Sequence, residues 1–168
     1  THGRISCAPR IAEGKVFLGK NAHHDEFYAI DQKTGEPVWT IEDLGWTSLG
    51  APGYADGMVF VGTVEGTMFG VDASDGAVVW ERATGKGIYP SPATDDTNVY
   101  TGSHDGHYYA FDQKTGDVAW KTFTANPEGH GGLPDSAATV LLGDHVYAQK
   151  RGASIVALSK DTGEEAWS

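Results

Sequence analysis

The 168-residue chain holds seven histidines, one cysteine and 23 Asp and Glu side chains, and these are the groups with chemistry to offer. Two histidine clusters stand beside carboxylates: His23 and His24 precede Asp25, and His104 and His107 bracket Asp105. Imidazole with carboxylate is a donor set for a transition metal, but a structural site needs four ligands and a catalytic one three. Neither cluster supplies the third and fourth at metal spacing, so no metal site is expected. Cys7 is alone, which excludes an internal disulfide framework and leaves the redox compartment open. No glycine-rich run opens a helix, so a phosphate cradle has no support. Ser, His and Asp are all present, yet no spacing singles out a nucleophile with its base. No catalytic, cofactor-binding or metal-binding residue is assigned.

What positions these groups is a repeat. Asp31-Gln-Lys-Thr-Gly35, Asp72-Ala-Ser-Asp-Gly76, Asp112-Gln-Lys-Thr-Gly116 and Ser159-Lys-Asp-Thr-Gly163 are each followed, four residues on, by a tryptophan: Trp39, Trp80, Trp120 and Trp167. These tryptophans are 41, 40 and 47 residues apart. A period of about 40 residues is the size of one four-stranded blade of a β-propeller.

Each unit reads as four short strands. A segment containing Pro or Ser opens it (Ser6 to Pro9, Leu49 to Pro52, Pro90 to Pro92, Pro134 to Ala137) and gives the first strand. A polar turn leads into a second run, Val16 to Gly19, Val59 to Gly62, Val99 to Gly102 and Val146 to Ala148. The third runs, Phe27 to Ile30, Met68 to Val71, Tyr108 to Phe111 and Ile155 to Leu158, are apolar at successive positions, as befits strands buried on both faces. In the turn that follows, the Asp side chain accepts from backbone amides two residues on, and Gly35, Gly76, Gly116 or Gly163 supplies the positive φ that closes the hairpin. The tryptophan then lies on the outer strand, where its flat surface fills the wedge between blades. Trp39, Trp80, Trp120 and Trp167 are therefore read as structural docking residues; Trp46 is outside the repeat.

The string from Val99 through Tyr-Thr-Gly-Ser-His-Asp-Gly-His-Tyr-Tyr-Ala-Phe-Asp-Gln-Lys-Thr-Gly-Asp-Val-Ala to Trp120 resembles the PQQ-type propeller repeat of quinoprotein alcohol dehydrogenases, of the assembly lipoprotein BamB and of many scaffold domains. The resemblance covers essentially the whole chain. It implies an all-β fold, a β-propeller of four-stranded PQQ-like blades with four blades in this chain, either half of an eight-bladed ring or a fragment of a larger propeller. The expected organisation is a single module over 1–168, with blades near 5–40, 48–81, 89–121 and 133–167. It also implies an extracytoplasmic, periplasmic or secreted, location.

The same resemblance sets a test for catalysis. Quinoprotein dehydrogenases of this type hold PQQ and calcium at the propeller axis with a Glu and an Asn near inner strand ends, a catalytic Asp and a pair of adjacent cysteines. The stretch Gly3 to Gly19 resembles the blade that carries the Glu, but Lys20-Asn-Ala-His-His24 follows it. Where the Asn would follow Gly-Thr-Gly, the chain reads Gly62-Thr-Val-Glu65, and there is no second cysteine. A non-catalytic binding or scaffold domain without cofactor is therefore expected, with a piece of a PQQ- and calcium-dependent alcohol or sugar dehydrogenase as the alternative.

The net charge of −11 and the lack of a basic stripe argue against nucleic acid as a partner, and no apolar span is long enough for a membrane helix. The loops that lead into the innermost strands gather at one end of a propeller, where partners dock. They offer His2, Arg4, Trp46, Lys86, Tyr89 and His130 as a candidate axial binding surface. Four blades alone leave two flanks open, the first expected around Phe17 and Tyr28 and the last around Tyr147, Ile155 and Trp167. A second copy of the chain, or the remainder of a longer propeller, is expected to cover them.

Overall fold

The computed structural model describes residues 4–5, 7–21, 26–47, 50–124, 138–150 and 154–168, with backbone alone at 4, 21, 150 and 154. Among the described residues all regular structure is β-strand, in four antiparallel sheets. The first contains β1 (Arg4–Ile5), β2 (Arg10–Ala12), β3 (Lys15–Asn21), β4 (Glu26–Asp31) and β5 (Pro37–Ile41). The second contains β6 (Gly53–Ala55), β7 (Met58–Gly62), β8 (Thr67–Asp72) and β9 (Val78–Ala83), and the third β10 (Ala93–Thr94), β11 (Asn98–Gly102), β12 (His107–Asp112) and β13 (Val118–Phe123). The fourth contains β14 (Val140–Leu142), β15 (His145–Lys150), β16 (Ser154–Ser159) and β17 (Glu165–Trp167). Strand order follows the chain from inner to outer edge; in the first sheet β1 and β2 share the inner edge, both pairing with β3. The innermost strands of successive sheets touch, β2 with β6, β6 with β10 and β10 with β14, so the four blades form an arc around an axis.

The core is a series of layers between blades. Phe17, Phe27 and Ala29 of the first blade meet Val59, Val61, Phe69 and Val71 of the second. Phe60, Met68 and Trp80 meet Val99, Tyr109 and Phe111 of the third, and Tyr100, Tyr108, Ala110 and Trp120 meet Val146, Ala148, Val156 and Leu158 of the fourth. The middle strands β7, β8, β11 and β12 each carry four successive buried residues because a neighbouring blade covers either face.

The outer part of each wedge is closed by one contact. Trp39 Nε1 donates to the Ala73 carbonyl at 3.1 Å, Trp80 Nε1 to Gln113 at 2.7 Å and Trp120 Nε1 to Lys160 at 2.6 Å, in each case in the following blade. Each indole also lies on that blade's turn glycine: a Cβ at Gly76 would come within 2.8 Å of Trp39, and at Gly116 and Gly163 within 2.6 Å of Trp80 and Trp120. The cross-strand partner of each tryptophan is small, Ala29, Gly70, Ala110 or Ala157, and the register slips by a bulge just after it. That small residue was a signal left unread in the sequence: an added Cβ at Gly70 would sit 2.3 Å from the Trp80 ring.

Two expectations are corrected. In the first three blades the strand that follows each proline-containing segment starts only after it, at Arg10, Gly53 and Ala93, because proline has no amide for the ladder, while Pro134 to Ala137 lie outside the described residues. Phe17 is fully buried rather than exposed on the free flank; its side chain faces Trp39 and Tyr54, on the side of the second blade. The residues of β3 and β4 on the free side are Val16, Leu18, Tyr28 and Ile30, since side chains alternate along a strand.

Trp80→Ala or Trp120→Ala is expected to lower stability by about 3–5 kcal/mol, the cost of truncating a large buried aromatic. Trp46→Ala, at a residue 50% exposed, costs far less. Urea midpoints compare the three, and similar losses would contradict the wedge assignment. Gly76 and Gly14 have φ of +80° and +70°, but only Gly76 has an indole upon it. Ala at Gly14 is expected to cost about 1–2 kcal/mol of backbone strain, and Ala at Gly76 clearly more; equal denaturation midpoints would show that strain alone keeps these glycines.

Candidate docking surface

Because each sheet is antiparallel from inner to outer strand, its turns alternate between two ends of the arc. The first-to-second and third-to-fourth turns lie at one end, the second-to-third turns and the connections between blades at the other.

At the turn end the carboxylates are occupied by the backbone. Asp31 accepts from the amides of Lys33 and Thr34 at 2.9 and 2.8 Å, and Asp112 accepts from those of Lys114 and Thr115 at the same distances. Asp72 accepts from the Ser74 hydroxyl at 2.6 Å and from its amide at 2.7 Å. These bonds, led by the Thr34 amide, the Ser74 hydroxyl and the Thr115 amide respectively, hold the three carboxyls below their usual range. In the fourth blade Ser159 stands in the Asp position and accepts from the Thr162 amide at 3.4 Å.

At the loop end the connections are stitched to the next blade. The Val64 amide donates to the Trp46 carbonyl at 2.9 Å and the His104 amide to the Gly87 carbonyl at 2.8 Å, so Trp46 and Gly87 occupy equivalent places. The Trp46 indole is half exposed. Lys86 is held by its carbonyl, which accepts from Thr84 Oγ1 at 2.6 Å and Ser103 Oγ at 2.9 Å, while the residue itself is exposed. Tyr89 stacks on the His104 ring with centroids 4.1 Å apart. Trp46, Lys86 and Tyr89 thus come to the same end from two successive connections. His2 and His130 lie outside the described residues, and Arg4 is described only as backbone paired with Asn21.

His104, Asp105 and His107, a donor set too small in the sequence for a metal site, are built around a structural role of Asp105 that the sequence does not announce. Its carboxylate accepts from the Tyr109 hydroxyl at 2.5 Å, the Gly85 amide at 2.9 Å and the His107 amide at 3.0 Å, with His107 Nδ1 3.4 Å away. Burial pushes the Asp105 pKa up, but the Tyr109 hydroxyl and the two amides outweigh it and leave the carboxyl below its usual range. Burial, with Asp105 beside it, pushes the Tyr109 phenol well above its usual value. The His107 ring meets Phe123 edge-on at 5.1 Å. One carboxylate therefore ties the incoming connection to the third blade. The alternation His107, Tyr109, Phe111 on β12, just after Asp105-Gly106, was the available signal. Among the described residues no group of three or more His, Cys, Asp and Glu is placed to hold a metal; His23, His24 and Asp25 lie outside them.

At the positions where the resemblance would put a quinoprotein's Glu and Asn, Lys20, next to last in β3, holds its ammonium 2.7 Å from Glu26, and Glu65 stands exposed in a turn. Near the axis, an open groove of about 380 Å³ runs past Arg10, Ser91, Thr94, Thr139 and Leu141, and no described carboxylate lines it.

The family of the outer membrane protein assembly factor BamB matches residues 23–168. A lanthanide-dependent methanol dehydrogenase of Methylacidiphilum fumariolicum is 33% identical over 76 residues, 45% of this chain and 12% of that protein. BamB from Moraxella catarrhalis superposes with a TM-score of 0.79 at 26% identity, over 97% of this chain and 52% of its own. The computationally designed Ika4 protein gives 0.74 at 17% identity, over 95% of this chain and 92% of its own, a likeness of fold alone. The chain thus spans about half the length of that BamB and a small part of the dehydrogenase.

A carboxyl whose folded pKa is depressed adds stability that is present above its unfolded value of about 4 and is lost as pH falls through the folded value. Asp105→Asn should lower the urea midpoint at neutral pH and flatten its decline from about pH 5 to pH 2. A decline as steep as in the native chain would assign the acid sensitivity to other carboxyls.

Proposed function

The chain belongs to the PQQ-repeat family described as outer membrane protein assembly factor BamB, and on that premise we propose that it is a non-catalytic scaffold propeller that binds protein through its loop end. The observation that carries this reading is the set Trp46, Lys86 and Tyr89: a half-exposed indole, an exposed lysine and a phenol stacked on His104, on connections bonded to the following blade through the carbonyls of Trp46, Lys86 and Gly87. Aromatic side chains fixed in place are the usual anchors of protein interfaces, because little freedom is lost when they bind. The charge of −11 disfavours nucleic acid. No helix among the described residues is long and apolar enough to cross a membrane. An extracytoplasmic location accords with a family named for outer-membrane assembly. Further blades, from a second copy or from the remainder of a longer chain, cover the flanks.

The 33% identity to a methanol dehydrogenase favours a second reading, a piece of a quinoprotein that holds PQQ and calcium. The residues do not fit it. Lys20 is paired with Glu26, Glu65 replaces the expected Asn, and Cys7 has no cysteine neighbour. Calcium takes six to eight oxygens, typically several from carboxylates.

Incubation with PQQ, calcium and an alcohol is expected to leave an artificial electron acceptor unreduced; steady turnover would establish the second reading. The paired change Trp46→Ala with Lys86→Glu should abolish recovery of protein partners from an envelope extract while leaving the urea midpoint nearly unchanged. Recovery of the same partners by the variant would move the binding surface elsewhere.

A further inference from the structure

The β7–β8 turn, Thr63 to Gly66, is wedged between the two connections that carry Trp46 and Lys86. On one side Thr47 bridges to Thr63, the Val64 amide donates to the Trp46 carbonyl at 2.9 Å, and a Cβ on Gly45 would stand 3.1 Å from Glu65 Oε2. On the other side the Ile88 amide donates to the Thr63 carbonyl at 2.9 Å and the Thr84 amide to that of Gly66 at 2.7 Å. A Cβ on Gly66 would come within 2.5 Å of the Lys86 carbonyl oxygen, and one on Gly87 within 2.6 Å of the Val64 carbonyl oxygen and 2.7 Å of the Tyr89 ring. Trp46, Glu65, Lys86 and Tyr89 therefore follow one another along a single seam, across about two strand spacings or roughly 10 Å.

The charges on this seam are unmatched. Elsewhere opposite charges on adjacent segments pair, Lys15 with Glu13, Lys20 with Glu26 and Arg82 with Asp117. Glu65 and Lys86 stand exposed on touching segments, yet among the described residues neither has an ion-pair partner. Glu42 is exposed in the connection that carries Trp46, so the indole end of the seam is acidic while the Tyr89 end carries Lys86.

Resting on the reading of the loop end as a protein-binding surface, we propose that its occupant is an extended protein segment with an arginine and, two residues away, an acidic side chain. The guanidinium stacks on the half-exposed Trp46 indole and turns its N–H edge to Glu65, and the carboxylate meets Lys86. Arginine fits where lysine does not, because a planar cation stacks on an aromatic face while its edge pairs with a carboxylate, and it sheds water more readily. Side chains two apart on an extended segment lie on one side about 7 Å apart, and the long arginine arm covers the remainder of the seam. The net charge of −11 favours approach of the cationic end.

The probe is a synthetic peptide, Gly-Arg-Gly-Glu-Gly, acetylated and amidated at its ends. It is titrated at low salt into the isotope-labelled chain and followed by NMR on the indole N–H resonance that Trp46→Ala removes. The peptide should shift that resonance and bind about tenfold more tightly than its counterpart with citrulline, the uncharged analogue, in place of arginine. Glu65→Gln should weaken the arginine peptide about threefold or more and leave the citrulline peptide unchanged. Lys86→Glu should weaken both peptides, and neither substitution should move the urea midpoint, since both side chains are exposed and unpaired. An unmoved Trp46 resonance, equal affinity for the two peptides, or equal affinity of the native and Glu65→Gln chains would each overturn the proposal. Recovery of envelope proteins by the Trp46→Ala, Lys86→Glu chain bears on the loop end as a docking surface, so the two failures are told apart. Partners lost from that variant while the peptides fail to discriminate would leave the loop end as a protein-binding surface and remove the arginine.

Discussion

An indole resting on a glycine that has no Cβ, with its N–H given to a backbone carbonyl of the same turn, is the contact on which the rest of this structure depends. Blades that radiate from an axis leave a wedge that widens outward, and the outermost strand must fill it with the largest side chain available. Tryptophan has the area, but its buried N–H must be satisfied or it costs more than it contributes. The turn of the next blade meets both demands: Gly76, Gly116 and Gly163 admit the ring to contact distance, and the carbonyls of Ala73, Gln113 and Lys160 take the proton. Within each blade, Ala29, Gly70 or Ala110 under the ring and the bulge beside it bring the indole to the right height. A single motif, an Asp-capped turn, its glycine and a tryptophan four residues later, encodes donor and acceptor together, so every repeat is at once a knob for one neighbour and a socket for the other.

Concentrating the structural work at the outer wedge and the turn end leaves the loop end free to vary. The turn-end carboxylates are engaged by amides and hydroxyls of their own turns, so their charge serves to close those turns. At the loop end the same backbone bond is made by Trp46 in one connection and Gly87 in the next. The scaffold holds the position while the side chain changes, the condition under which a common fold acquires different partners.

Much of this was legible in the residues. The spacing of Trp39, Trp80, Trp120 and Trp167 specifies a propeller, and the fully apolar third runs identify strands covered on both faces. What the sequence hid was direction. Period-two alternation says that Phe17 and Tyr28 face opposite sides, but not which side meets a neighbour, and the expectation of Phe17 on the free flank fails for that reason. The prolines before the innermost strands looked like part of them, yet their missing amides push the ladder downstream. His104, Asp105 and His107 form a cluster in sequence; in the fold they take different parts, a ring stack with Tyr89, a carboxylate accepting three donors and an imidazole edge-on to Phe123. Asp105's role depends on Gly85, which arrives from another blade, and no local pattern announces that.

The central claim is that indole and glycine are selected for each other, not separately for bulk and for φ. A double-mutant cycle on Trp80→Ala and Gly116→Ala measures that directly. If the contact is the constraint, Gly116→Ala costs much in the native chain and little beyond backbone strain once the Trp80 ring is gone, with a coupling on the order of 1–3 kcal/mol between residues in contact. If the two losses simply add, the ring and the glycine act independently and the account is wrong.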